Sequence, residues 1–232
     1  MSQTCGSSGL LARVGCLVVV SGLAAGAAQA GIITSRDYFA STPHTLINFE
    51  TDGQGNAINL IQGQSQVMPL NAYAPQGVMF NSQIRWVNDG NAAFDGAQSA
   101  LGSGNIGIPS SYASTVDFSF TGTVHAFGMF VVNNSRSDAA GPTITAYDAS
   151  GNVIQSVQWG AQFIRGTIVS GNTTADYGYA GLYSLEAPIA RVVIVKHAAL
   201  LDDLSFGGAV VPAPGALGLA GVAGLVLGRR RR

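Results

Sequence analysis

Between Gly31 and Gly208 no long stretch repeats its apolar residues at helical spacing. That stretch consists of short β-branched and aromatic runs, separated by Gly, Asn, Asp and Ser. The clearest runs are Thr45–Glu50, Gly77–Asn81, Thr115–Phe120, Val124–Val132, Thr143–Asp148, Asn152–Gln158, Phe163–Val169, Ala190–Lys196 and Leu200–Phe206. In one of them Val116, Phe118 and Phe120 alternate with Asp117 and Ser119, the pattern of a strand with one wet face. Thr143–Asp148 and Asn152–Gln158 form a predicted β-hairpin, with Gly151 supplying the positive φ of the turn. Many short strands without helices predict an all-β chain, a β-sandwich or jelly roll. The Gly/Ser/Asn/Ala-rich stretch from Asn88 to Ser111 is expected to be a long surface loop.

Both ends have a different composition. Arg13, the apolar run Val14–Ala25 and the small residues of Ala28-Gln29-Ala30 have the order of a secretory signal. Cleavage by signal peptidase after Ala30 would leave Gly31 first. Both cysteines, Cys5 and Cys16, fall inside this segment, so the mature chain would contain no disulfide. Cys16 is not placed for lipidation, because Arg13 stands where a lipobox wants Leu and the apolar core follows the cysteine. At the other end, Pro212-Ala213-Pro214 precedes an apolar run from Gly215 to Leu227 and the four arginines Arg229, Arg230, Arg231 and Arg232. The apolar run partitions into the bilayer and the arginines stay on the cytoplasmic side. From Val210 the run is about 18 residues, near the lower limit for a transmembrane helix. The expected division is therefore a signal peptide over 1–30, a β-sandwich domain over 31–208 and a membrane-seeking tail over 209–232.

The tail resembles the PEP-CTERM sorting signal of bacterial proteins handled by an exosortase. That family has Pro-Glu-Pro where this chain has Pro212-Ala213-Pro214. The resemblance implies an exosortase-type partner, initial anchoring in the inner membrane by the C-terminal helix, and delivery to the cell envelope or extracellular matrix, including biofilm matrix. The alternative is a plain C-terminal membrane anchor. The middle of the chain also resembles exported PEP-CTERM proteins, at Ile47-Asn48-Phe49-Glu50, Gly77-Val78-Met79-Phe80, Ala126-Phe127-Gly128-Met129 and the segment Ala146–Val153. Leu201-Asp202-Asp203-Leu204-Ser205-Phe206 completes the set. Those domains are similar to carbohydrate-binding jelly rolls of the galactose-binding-like or lectin-like kind.

The segment from Gly31 to Gly208 holds six Arg and Lys residues against twelve acidic ones, a formal charge of −6. An acidic, Lys-poor domain has no footprint for nucleic acid. It does suit calcium, which takes several oxygen ligands. Glu50 follows the first strong run, and Asp202 and Asp203 lie in the last. Neighbouring first and last strands would bring the three carboxylates together as a structural calcium site. The resemblance implies the same, through Phe49-Glu50 and Asp202-Asp203. Strand alternation predicts Asp202 on the face of Leu204 and Phe206, with Asp203 opposite. The other reading is solvated carboxylates at a strand end. Asp52-Gly53-Gln54-Gly55-Asn56 reads as a turn.

Sugar rings stack on flat apolar surfaces, for which Trp86, Trp159, Tyr112, Tyr177, Tyr179 and Tyr183 are available; Trp86, Tyr177 and Tyr179 are the candidate ligand contacts, Tyr177-Gly178-Tyr179 being the most loop-like. Catalysis has little to rest on. His44, His125 and His197 are scattered without metal-ligand spacing, and G-x-S-x-G and H-E-x-x-H are absent. The expected function is a non-enzymatic, structural or adhesive envelope or matrix protein associated with polysaccharide. The competing expectation is an extracellular glycan hydrolase built on a β-sandwich.

Overall fold

The fold was described from a computed structural model over residues 30–88, 99–102, 115–133, 141–170, 173–195 and 199–208. Ala28, Cys5, Cys16, Tyr112, Asn172, His197 and the whole tail from Pro212 to Arg232 lie outside the described residues.

The strands are β1 (Ala30–Ile33), β2 (His44–Ile47), β3 (Ser65–Met68), β4 (Val78–Phe80), β5 (Ile84–Val87), β6 (Ser99–Gly102) and β7 (Thr115–Phe120). They continue with β8 (Ala126–Asn133), β9 (Thr143–Tyr147), β10 (Val153–Gln158), β11 (Ile164–Ser170), β12 (Thr173–Ser184), β13 (Arg191–Val195) and β14 (Ala199–Gly207). Two short 3-10 turns, Arg36–Phe39 and Ala74–Gln76, are the helical content of the described residues.

Each of the nine predicted runs overlaps a strand. All the ladders are antiparallel, in a five-stranded sheet ordered β10-β9-β13-β7-β4 and a nine-stranded one ordered β1-β12-β8-β14-β6-β5-β3. In the larger sheet β11 adds to β12 and β2 adds to β14. The sheets pack face to face as a sandwich. Val116, Phe118 and Phe120 of β7, Ile144 of β9 and Val192 of β13 meet Phe127, Met129 and Val131 of β8 and Leu204 and Phe206 of β14 in one core. Asp117 and Ser119 turn outward, as the alternation of β7 predicts.

The hairpin of β9 and β10 forms, with Gly151 at φ +82°. Its turn recurs elsewhere in the chain. Asp148 Oδ1 accepts the amides of Ser150 and Asn152, and Asn152 donates back to Asp148 Oδ2. Asp52 does the same with Gln54 and Asn56, with Gly55 at φ +87°. Asp-x-x-Gly-Asn is thus a turn twice over.

Two expectations are corrected. The stretch expected to be a loop from Asn88 to Ser111 contains β6, which bridges β5 to β14. Tyr177-Gly178-Tyr179 is not a loop but the middle of β12, the longest strand described. Its glycines hide it from a propensity reading, yet close packing requires them. A Cβ on Gly178 would stand 1.7 Å from the Phe163 carbonyl oxygen, and one on Gly181 would stand 2.1 Å from that of Phe127.

Candidate functional site

The expected neighbours do meet: β2 pairs with β14, Ile47 opposite Leu204. One edge of β14 runs along β8 throughout, while the other is shared. Leu200 and Leu201 pair with β6, and Leu204 to Gly207 pair with β2. Asp202 and Asp203 fill the gap between these two neighbours. There the register against β8 slips, with Asp202 opposite Phe130 but Ser205 opposite Gly128. Asp203 takes φ +49°, a left-handed conformation that Asp tolerates better than most residues. The strict alternation expected for Asp202 and Asp203 is therefore broken by a β-bulge, and Leu201 and Leu204 both enter the core.

Both carboxylates are buried, Asp202 at 1% and Asp203 at 2% exposure. Asp202 Oδ1 accepts the Asp203 amide at 2.8 Å, and Arg36 Nη1 donates to Asp203 Oδ2 at 3.0 Å. Arg36 starts the 3-10 turn that Ser35 caps by accepting the Asp37 amide. Glu50 follows Phe49, itself at φ +60°, and its carbonyl accepts the Ile58 amide. Among the described residues no group of three or more Asp, Glu, His or Cys could hold a metal ion. A guanidinium stands beside Asp203. Glu50, Asp52 and Asp202 do converge electrostatically on Tyr73. Burial pushes the Tyr73 phenol well above its ordinary value, and these three charges add to the shift while the Trp86 hydrogen bond opposes it. The Tyr73 hydroxyl donates to the Thr51 carbonyl at 2.7 Å and accepts from Trp86 Nε1 at 2.9 Å. Trp86 is thus a core residue, 3% exposed.

The outer face of the larger sheet carries a row of aromatic rings. Tyr177, Tyr179 and Tyr183 alternate along β12 and share one side. Each ring lies over a glycine on a neighbouring strand. Gly166, Gly128 and Gly31 would put a Cβ within 2.7, 2.5 and 2.5 Å of Tyr177, Tyr179 and Tyr183 respectively. Tyr38 stacks on Tyr183 with ring centres 5.7 Å apart, and Phe130 meets Tyr179 edge-on at 5.2 Å. Tyr179 is 1% exposed, so it underlies the row rather than facing solvent. Burial pushes the pKa of its hydroxyl well up, against an opposing hydrogen-bond contribution from Ser205. Tyr38, Phe130, Tyr177 and Tyr183 are half-buried. Of the three expected ligand contacts, Tyr177 alone keeps access to solvent. Tyr183 was among the aromatics the sequence offered, whereas Tyr38 and Phe130 were not, since nothing local places a 3-10 turn and β8 beside β12.

Several other polar groups have structural partners. Asp117 accepts from Arg191 Nε at 2.9 Å and from Asn81 at 2.9 Å. Partial burial works against its charge, but Arg191 and Asn81 hold the carboxyl below its ordinary value. Asp52 and Asp148 are lowered by their own turns, first by the Asn56 and Asn152 side chains. Thr167 donates to Asp176 at 2.9 Å. His44 Nδ1 lies 2.9 Å from the Thr42 carbonyl, and His125 Nδ1 lies 2.9 Å from that of Ser184. Among the described residues no helix is long and apolar enough to cross a membrane.

No protein-family model matches the chain, and no curated protein does. Two solved structures show a distant likeness. One is an isomalto-dextranase from Arthrobacter globiformis T6 complexed with panose, 14% identical over 76% of this chain, at a TM-score of 0.35. The present chain spans 34% of that enzyme. The other is a mutant of the family 29 carbohydrate-binding module CBM29-2, 10% identical over 75% of this chain and 100% of the module, at a TM-score of 0.29. At such low TM-scores the sandwich has to be described from its own ladders.

Proposed function

We propose that this chain is an exported, non-enzymatic β-sandwich of the galactose-binding-like or lectin-like jelly-roll type. Its role is structural or adhesive, and it acts at the cell envelope or in the matrix through association with polysaccharide. The observation that supports this reading is the aromatic row on the outer face, where Tyr177 and Tyr183 lie over glycines and, with Tyr38 and Phe130, stay half-buried. Rings held by packing lose little further freedom when a sugar ring stacks on them. The non-enzymatic part of the reading is supported by the acids with known partners: Asp52, Asp117, Asp148 and Asp203 are engaged in turns and ion pairs. Signal peptidase would act after Ala30, and an exosortase-type enzyme would recognise the Pro212-Ala213-Pro214 tail.

Co-sedimentation of the secreted protein with insoluble cellulose, chitin and α-glucan tests this, with reducing sugar assayed in the same tubes. At least one polymer should retain the protein without release of reducing sugar. Tyr177→Ala and Tyr183→Ala should each weaken retention about 3–10-fold, the scale of one aromatic contact. Release of reducing sugar that a single carboxylate substitution abolishes would establish the hydrolase reading in its place.

A further inference from the structure

A second concavity lies where the edges of the two sheets come together. β2 stands on the flank of β14, and β4 ends the smaller sheet beside β7. The chain entering β4 and the chain leaving β7 are tied by the Thr121 amide, which donates to the Gly77 carbonyl at 3.0 Å. Between them and β2 is a cleft of about 500 Å³, bordered by His44, Thr45, Gln76, Thr121 and Thr123, with the Phe206 ring at its base. That volume lies in the ~300–1,000 Å³ range of small-molecule sites. Gln76 also borders an adjoining depression of about 220 Å³, which follows β2 on to Asn48 and reaches Thr51 and Tyr73. His44 and Asn48 are four residues apart, roughly 14 Å at the usual strand rise. The two hollows are thus one groove along β2, longer than a single sugar ring.

The chemistry of the groove is selective. None of the described residues lining either hollow is Asp, Glu, Lys or Arg. Its polar groups are hydroxyls, amides and an imidazole, set around an apolar ring. The Gln76 Oε1 atom is buried between the hollows without a hydrogen-bond partner. The Thr42 hydroxyl, two residues before His44, is likewise buried and unpaired among the described residues. A buried acceptor without a donor is costly, and a ligand hydroxyl removes that cost. Uncharged donors and acceptors around an apolar floor match a neutral polyhydroxylated ring. An anionic ligand would find no counter-ion there.

We propose that the groove along β2 binds the end of a neutral pyranose oligosaccharide, with Gln76 hydrogen-bonded to a sugar hydroxyl between two subsites. This rests on the glycan-association reading for its ligand class but uses a surface separate from the aromatic row.

The test is calorimetric titration of the full chain with isomaltotriose, maltotriose, cellotriose and mannotriose, with trigalacturonate as the acidic control. At least one neutral trisaccharide should bind with 1:1 stoichiometry, and trigalacturonate should not. Thr121→Arg, which fills the cleft, should weaken binding by at least about 10-fold. Gln76→Met should weaken it by about 5-fold or more and raise the melting temperature of the sugar-free protein, because the unpaired acceptor is gone. Asp148→Ala, in the β9–β10 turn, should leave the trisaccharide affinity within about 2-fold. Binding of no neutral trisaccharide, equal binding of the acidic trimer, or indifference to both groove substitutions would overturn the proposal. Loss of trisaccharide binding in Tyr177→Ala alone would overturn it too, and would leave the aromatic row as the glycan site.

Discussion

Removing the guanidinium from Arg36 while keeping its stem, as Arg36→Met does, probes the β14 bulge most directly. The variant leaves the Asp203 carboxylate, 2% exposed, without the Nη1 donor at 3.0 Å. Breaking a buried ion pair by deleting one partner costs about 3–5 kcal/mol. Arg36 is itself 35% exposed, so water can partly replace it and the figure falls to about 2–3 kcal/mol. For a domain of this size each kcal/mol moves the melting temperature by roughly 2–4 °C, which predicts a fall of about 4–12 °C. Asp203→Asn in the Arg36→Met background should recover at least half of the loss, because an amide needs no counter-charge. Thermal melts of the four proteins of this cycle, with chelator and with millimolar calcium, give the answer. A melting temperature for Arg36→Met within about 1 °C of wild type would refute the reasoning. So would a double variant less stable than Arg36→Met. Stabilisation of the wild type by calcium would show that a cation, rather than Arg36, carries the compensation.

Gly178→Ala should destabilise by about 1–3 kcal/mol, since its Cβ would meet the immovable Phe163 carbonyl, whereas Gly122→Ala, with open space around it, should stay within about 0.5 kcal/mol; urea titration separates the two. The Asp117–Arg191 pair lowers the carboxyl pKa, so its contribution is full above the ordinary Asp value and is lost as pH falls through the folded value. The stability gap between wild type and Arg191→Leu should accordingly shrink below about pH 4, and with Arg191 49% exposed it should not exceed about 1 kcal/mol at neutral pH. A gap that widens on acidification would contradict the pairing. Sequencing of the exported protein should find Gly31 first, and deleting residues 211–232 should release soluble protein into the medium; retention of the truncated protein in the envelope would remove the tail as sorting element.

The local patterns in the sequence carry far into the fold. Val116, Phe118 and Phe120 alternate as a half-buried strand must, Gly151 punctuates a real hairpin, and Asp52 and Asp148 sit where their side chains close a turn. These follow from chain stereochemistry over a few residues, so no partner strand is needed to read them. The pairing of β2 with β14 also follows from the expectation that the ends of the domain lie side by side. The site residues were less legible. Tyr177 and Tyr179 share a face of one strand, yet one is half-buried and the other sealed, because Phe130 covers Tyr179 from β8. Trp86 carries the composition of a sugar contact, but its indole is committed to Tyr73, which reaches it from the segment before β4.

By itself the sequence determined that the domain is all-β, where most strands run and where the chain turns, because backbone alternation and glycine or aspartate turn chemistry act locally. Tertiary structure alone decided what Asp202 and Asp203 do. Their bulge exists because β14 changes neighbour from β6 to β2 at that point, and Arg36 reaches Asp203 from 167 residues away in the chain. A buried charge takes its role from whatever counter-charge the folded chain brings beside it, and no spacing within the strand specifies that partner.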